Sequence, residues 1–163
     1  MMVVMKENQN NSDYSILTQH DAESFLSSPQ SINLNKFETI DPAAAKILSS
    51  SEGNLYLNGL NHISFESAFY LSGHTGGLGL NGISEISKEV AKCLAYHEGG
   101  IGLAGLKEIS EQVALCFSNH RGILGLNGLS KISDQVALHL SKQLGNLHLD
   151  SLTEISIIFL CSL

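Results

Sequence analysis

A frame of 23 residues recurs through this chain without insertion or deletion, and it constrains the fold more than any other feature. The clearest copy runs from Leu78 to Gly100, LGLNGISEISKEVAKCLAYHEGG. Others occupy 32–54, 55–77, 101–123 and 124–146; a last one starts at Leu147 and breaks off at Leu163. A faint copy fits 9–31, and residues 1–8 lie outside the frame. Column one is apolar throughout (Ile32, Leu55, Leu78, Ile101, Leu124, Leu147), and column three is always leucine (Leu34, Leu57, Leu80, Leu103, Leu126, Leu149). Period two over so short a run suits a strand with one buried face. Such a strand is too short to stand alone and must pair with its copy in the next repeat, about 4.8 Å away.

Further along the frame the period changes. Column ten holds Thr18, Asp41, Ser64, Ser87, Ser110, Ser133 and Ser156, whose side-chain oxygens can accept from the free N–H groups of a helix's first turn. Pro42 after Asp41 suits a first helical position. Valines in column thirteen (Val90, Val113, Val136), alanines in column fourteen (Ala22, Ala45, Ala68, Ala91, Ala114, Ala137) and Phe25, Leu48, Leu71, Leu94, Phe117 and Leu140 in column seventeen make one apolar stripe at helical spacing. Column twenty-two is glycine (Gly53, Gly76, Gly99, Gly122, Gly145), which is expected to close the helix in a left-handed conformation. Each unit thus reads as strand, short loop, N-cap, short helix and glycine stop. The fold expected is an α/β solenoid, with parallel strands at 55–57, 78–80, 101–103, 124–126 and 147–149 on one face and helices near 65–73, 88–96, 111–119 and 134–142 on the other.

At these columns the chain resembles the leucine-rich repeat proteins, most of all short bacterial arrays of the type L-x-L-x-G-L-x-x-I-S-x-x-x-A-x-x-L-x-x-H-x-G-x. The resemblance covers 32–163 well and 9–31 poorly. It implies a horseshoe-like solenoid and a protein-binding role. The family's usual loop asparagine is replaced by Leu60, Ile83, Leu106 and Leu129, and asparagines stand two positions earlier, at Asn35, Asn58, Asn81 and Asn127.

The expected division is a disordered or loose segment at 1–8, a degenerate N-terminal capping repeat at 9–31, and the array at 32–163. Gln9 and Asn11 replace the strand leucines of the first copy, as a solenoid's capped end requires. The other end turns apolar: IIFLCSL closes the chain, and an exposed apolar end marks a site of self-association.

Net charge is −7, and the nine Lys and Arg residues are scattered along the sequence, which argues against a nucleic-acid partner. No run approaches the 18 or so apolar residues that span a bilayer. The start is too short in its apolar part for a secretory signal, so the cytoplasm is the default compartment; a secreted or surface location stays open if the N-terminus is incomplete. Three cysteines, Cys93, Cys116 and Cys161, form no even framework, and free thiols are expected.

Four patterns invite a chemical reading. G-x-G-x-x-G occurs at Gly77–Gly82 and Gly100–Gly105, but it overlaps the strand rather than linking strand to helix, and the frame accounts for it. His74, His97 and His120 share column twenty with Gln143; stacked repeats spread them along the array, so a helix C-terminal position is favoured over a metal site. Capping explains the serines of column ten. Carboxylates such as Glu85, Glu89, Glu108 and Glu111 read as a solvated surface. No catalytic constellation or cofactor motif emerges, and the chain reads as non-enzymatic.

The remaining candidate surface is the outer sheet face. Columns two and four place Asn33, Asn35, Tyr56, Asn58, Asn81, Asn127 and His148 there, around the small Gly79, Gly102, Ala104 and Gly125. The expectation is a scaffold that binds a protein of unspecified identity through this face, with Tyr56 as anchor. The alternative is a purely structural fragment of a longer repeat protein with no site of its own.

Overall fold

A computed structural model describes residues 15–155. The expectations for 1–8, for Gln9, Asn11 and Ser156, for Cys161 and for the apolar tail at 157–163 therefore lie outside the described residues.

In chain order the elements are β1 (Ile16–Leu17), α1 (Gln19–Ser27), a 3-10 turn at Leu34–Lys36, β2 (Thr39–Ile40), α2 (Pro42–Leu48), β3 (Leu55–Tyr56), α3 (Phe65–Ser72), β4 (Leu78–Gly79), α4 (Lys88–Ala95), β5 (Ile101–Gly102), α5 (Glu111–Phe117), β6 (Leu124–Gly125), β7 (Lys131–Ile132), α6 (Asp134–Leu140), β8 (Leu147–His148) and β9 (Glu154–Ile155). Five strands make one open parallel sheet in the order β3-β4-β5-β6-β8. Each step pairs a residue with its counterpart one repeat on: Leu55 with Leu78, Leu78 with Ile101, Ile101 with Leu124, Leu124 with Leu147. The helices form the other layer. This is a solenoid-like α/β fold, with the expected strands and helices in place.

The ladder follows from strand length. A two-residue strand offers few backbone groups, and its ladder bonds run to the copies in the neighbouring repeats. Leu57 N donates to Gly79 O at 2.8 Å, Leu80 N to Gly102 O at 2.8 Å, and Leu103 N to Gly125 O at 2.8 Å. The same register recurs in two outlying parallel pairs, β1 with β2 and β7 with β9, formed by columns eight and nine. One difference appears at the N-terminal side. Ile32 and Leu34 occupy strand columns, yet Asn33 caps a 3-10 turn there, its side chain accepting from Asn35 N at 3.0 Å. Leu34 still reaches the core.

The core runs the length of the array between the two layers. The inward strand leucines, the loop residues Leu60, Ile83, Leu106 and Leu129, and the helix stripe are buried together. Full burial of a leucine contributes about 1.5–3 kcal/mol, so recurrence of these columns supplies most of the cohesion. Ala45, Ala68, Ala91 and Ala114 are wholly buried, which lets each helix approach its neighbours. Ser64, Ser87, Ser110 and Ser133 cap their helices, accepting at 3.0–3.3 Å from the backbone three residues on. Thr18 and Asp21 form a reciprocal capping box. Asp41 departs from the expectation: its side chain makes no cap bond, and Pro42 starts the helix.

The glycine column needs a correction. Among the described residues only Gly53 takes a positive φ, 75°. Helices α3 to α6 end well before this column, with caps at Gly73, Tyr96, Ser118 and Ser141 in ordinary helical conformation. Close approach is the cause instead. A Cβ on Gly76, Gly99, Gly122 or Gly145 would collide with the column-twenty-two carbonyl of the preceding repeat.

Candidate protein-binding face

The outer face of the sheet is built from columns two and four. Tyr56, Gly79, Gly102, Gly125 and His148 stand in register across the five strands. Tyr56 is 56% exposed at one end of this track, and His148 is exposed at the other. Tyr56 stays near the sheet: Asn54 Nδ2 donates to its hydroxyl at 3.4 Å, and its ring borders Gly79.

The asparagines of column four bind the repeats to one another. Asn35 Oδ1 accepts from Asn58 N at 2.9 Å, and Asn58 Oδ1 accepts from Asn81 N at 3.2 Å and Asn81 Nδ2 at 2.9 Å. Asn81 Oδ1 accepts from Ala104 N at 3.0 Å. Asn127 Oδ1 lies 3.5 Å from Asp150 N, the longest rung. The backbone N–H just after each L-x-L strand is thus satisfied by the previous repeat. Where column four is Ala104, the rung is missing, and Asn127 N has no partner among the described residues.

Column two explains itself through column four. A Cβ on Gly79 would lie 2.9 Å from Asn58 Oδ1 and 3.1 Å from the Tyr56 ring; one on Gly102 would lie 2.9 Å from Asn81 Oδ1. Glycine leaves room for the asparagine of the preceding repeat to reach across. At Gly125, which follows Ala104, a Cβ would meet only ordinary contacts at 3.6 Å. Around the missing rung the face is therefore flat, small and carries one free N–H.

Two sets of residues act where the sequence reading gave them no such part. Asn54 Oδ1 accepts from Gly77 N at 2.8 Å, one repeat on. The histidines of column twenty do follow their helices, but they are core residues, with His74, His97 and His120 at 2%, 1% and 0% exposure. The rings of His74 and His97 stack, 6.3 Å between centroids and 4° from parallel. His74 Nε2 lies 2.8 Å from Gly53 O. Gln143 makes the equivalent contact, its Nε2 donating to Gly122 O at 2.9 Å. His97 Nδ1 lies 3.4 Å from Ser72 O, whereas its Nε2 and both ring nitrogens of His120 lack partners. Burial holds His97 and His120 below the ordinary imidazole range, against nearby carbonyls that favour the proton, those of Ser72 and Gly76 for His97 and those of Ile123, Ala95 and His97 for His120.

The ring nitrogens of His74 and His97 face backbone carbonyls of their respective preceding repeats rather than one common point, and no group of three or more His, Cys, Asp or Glu among the described residues could hold a metal ion. Cys93 and Cys116 are free thiols, each half-buried. Among the described residues no helix is long and apolar enough to cross a membrane. Compared with protein-family models, curated proteins and solved structures, the chain finds no significant match.

Proposed function

We propose that this chain is a non-enzymatic repeat scaffold of the leucine-rich-repeat type that binds another protein through the outer face of its sheet. The observation that carries the reading is the side-chain-free pair Gly102 and Gly125 between the exposed Tyr56 and His148, with Gly79 buried beside the Tyr56 ring and an Asn127 N–H that has no partner among the described residues. A flat, neutral surface of this kind admits close backbone approach. Tyrosine at its edge supplies a large amphipathic contact of the sort enriched among interface hot spots. The free N–H selects a partner that presents an acceptor oxygen there, since a desolvated donor left unmet costs about 1–3 kcal/mol.

Asn35, Asn58, Asn81 and Asn127 then act chiefly by holding the face flat, because their carboxamide oxygens are committed to the array. That commitment also favours the second reading, a structural segment of a longer repeat protein, in which the asparagine ladder serves stability alone.

Two substitutions separate the readings. Tyr56→Ala removes the anchor, and Ala104→Asn restores the missing rung and covers the Asn127 N–H. A photo-crosslinker placed at His148 should capture a defined partner in cells, and both substitutions should reduce that capture while leaving the melting temperature unchanged or higher. Capture unaffected by either change would move the interface elsewhere, and no capture beyond background would favour the structural reading.

A further inference from the structure

The fold gathers cations that the sequence scatters. Lys88, Lys92 and Arg121, three of the nine Lys and Arg residues, line one groove of about 770 Å³ on the helix layer, between α4 and α5. Lys88 and Lys92 are one helical turn apart and share a face of α4. Arg121 follows α5 in the next repeat. Glu98 is the one carboxylate of the lining. It makes no ion pair with the three cations; among the described residues the one such pair is Lys131 with Glu154, far along the chain. The groove therefore keeps two net positive charges on a protein whose overall charge is −7.

The walls are apolar as well as charged. Leu115 and Tyr96 flank the groove, 50% and 73% exposed, with Ala95 and Cys116 between them. Cys116 Sγ donates to Lys88 O at 3.8 Å, tying the second helix to the first turn of the other. Lys88 stands where the helix dipole disfavours a cation, and the same column carries Glu111 and Asp134 in the next two helices. Its charge is thus placed against helix stability. A groove within the usual 300–1,000 Å³ range of ligand sites, lined by apolar side chains and by three cations, has the makings of a small-molecule site.

We propose that this groove binds an anionic amphiphile: a small molecule with an aromatic or aliphatic body and a carboxylate, sulfonate or similar head. The body lies along Leu115 and Tyr96, and the head meets Lys88, Lys92 and Arg121. The aliphatic stems of the two lysines extend the apolar wall, and their ammonium groups close over the anion. Elsewhere the acidic surface repels such a ligand, so charge confines it to this groove. The site lies on the helix side and is independent of the sheet face.

The probe is 8-anilinonaphthalene-1-sulfonate, an anionic aromatic dye that brightens on leaving water. Titration of the full chain should show one saturable site, displaced by laurate and not by dodecyltrimethylammonium. Lys88→Glu combined with Arg121→Glu places in each column a residue the repeat already tolerates there (Glu111 and Glu98), so folding is expected to hold and is checked by circular dichroism. That variant should weaken the dye at least tenfold; Lys107→Glu and Tyr56→Ala should change it less than twofold. Absence of a saturable site, equal loss on Lys107→Glu, or binding that survives the groove variant and disappears with Tyr56→Ala would overturn the proposal.

Discussion

The column of buried histidines makes folding sensitive to mild acid. His97 and His120 sit at 1% and 0% exposure with ring nitrogens that lack partners, and both are held below the ordinary imidazole value of 6.5. The sign follows from linkage. A lowered folded-state affinity means that the unfolded chain binds more protons, so stability is complete above about 6.5 and falls as the pH drops below it, levelling off once the folded rings protonate. Each imidazole kept neutral by folding contributes about 1.4 kcal/mol per pH unit in that window. Two of them give a ceiling of about 2.7 kcal/mol between roughly pH 7.5 and pH 5.5. The neighbouring His120 and His74 oppose protonation of His97 further. Urea unfolding followed by circular dichroism should show the midpoint falling by about 1 M over this range, given slopes of about 1–3 kcal/mol per M. The control is built into the repeat. Gln143 fills the same column and bonds the backbone without titrating. His97→Gln with His120→Gln should therefore fold and lose most of the pH dependence. A wild-type midpoint that stays constant over the range, or the same fall in the double variant, would refute the reasoning.

Other consequences of the packing are testable on their own. Ala91→Leu or Ala114→Leu inserts three carbons where exposure is zero and should cost about 1–3 kcal/mol in thermal unfolding. Gly102→Ala should push Asn81 off its rung and lower the melting temperature, while Gly125→Ala, with only 3.6 Å contacts, should be neutral or gain about 0.5–1 kcal/mol from reduced freedom of the unfolded chain. Asn81→Leu should cost about 1–3 kcal/mol by leaving Ala104 N without its acceptor, and Asn81→Asp, which keeps an oxygen, should cost less.

The strands, helices and caps were legible because each depends on a residue type that repeats at a fixed place. Leucines of columns one and three bury one strand face, serines of column ten cap, and alanines of column fourteen pack. Features that arise between repeats were not legible. Column-twenty-two glycine has two physical uses, a left-handed turn and a close approach, and composition alone does not separate them; Gly53 shows the first and Gly76, Gly99, Gly122 and Gly145 the second. The histidines read as helix-end residues because nothing in their column says that the ring turns inward. Their stacking depends on the distance between repeats. The same holds for the groove: Lys88 and Arg121 are 33 positions apart in sequence and line one groove only because successive helices pack side by side. On the sheet face, the column-two glycines and column-four asparagines were visible as small and polar. Their mutual dependence, Gly79 with Asn58 and Gly102 with Asn81, was not.

The face and the groove both exist only if one repeat stacks on the next in parallel, in a fixed register of 23 residues. Through-hydrogen-bond scalar couplings measured by NMR report donor and acceptor pairs directly. They should connect Leu57 N with Gly79 O, Leu80 N with Gly102 O, Leu103 N with Gly125 O and Leu126 N with His148 O, where the distances are 2.8–2.9 Å. Acceptors that climb the chain in step with their donors are the result expected. Couplings whose acceptors descend as the donors ascend, or a different offset at any rung, would contradict the solenoid and remove the face and the groove built on it.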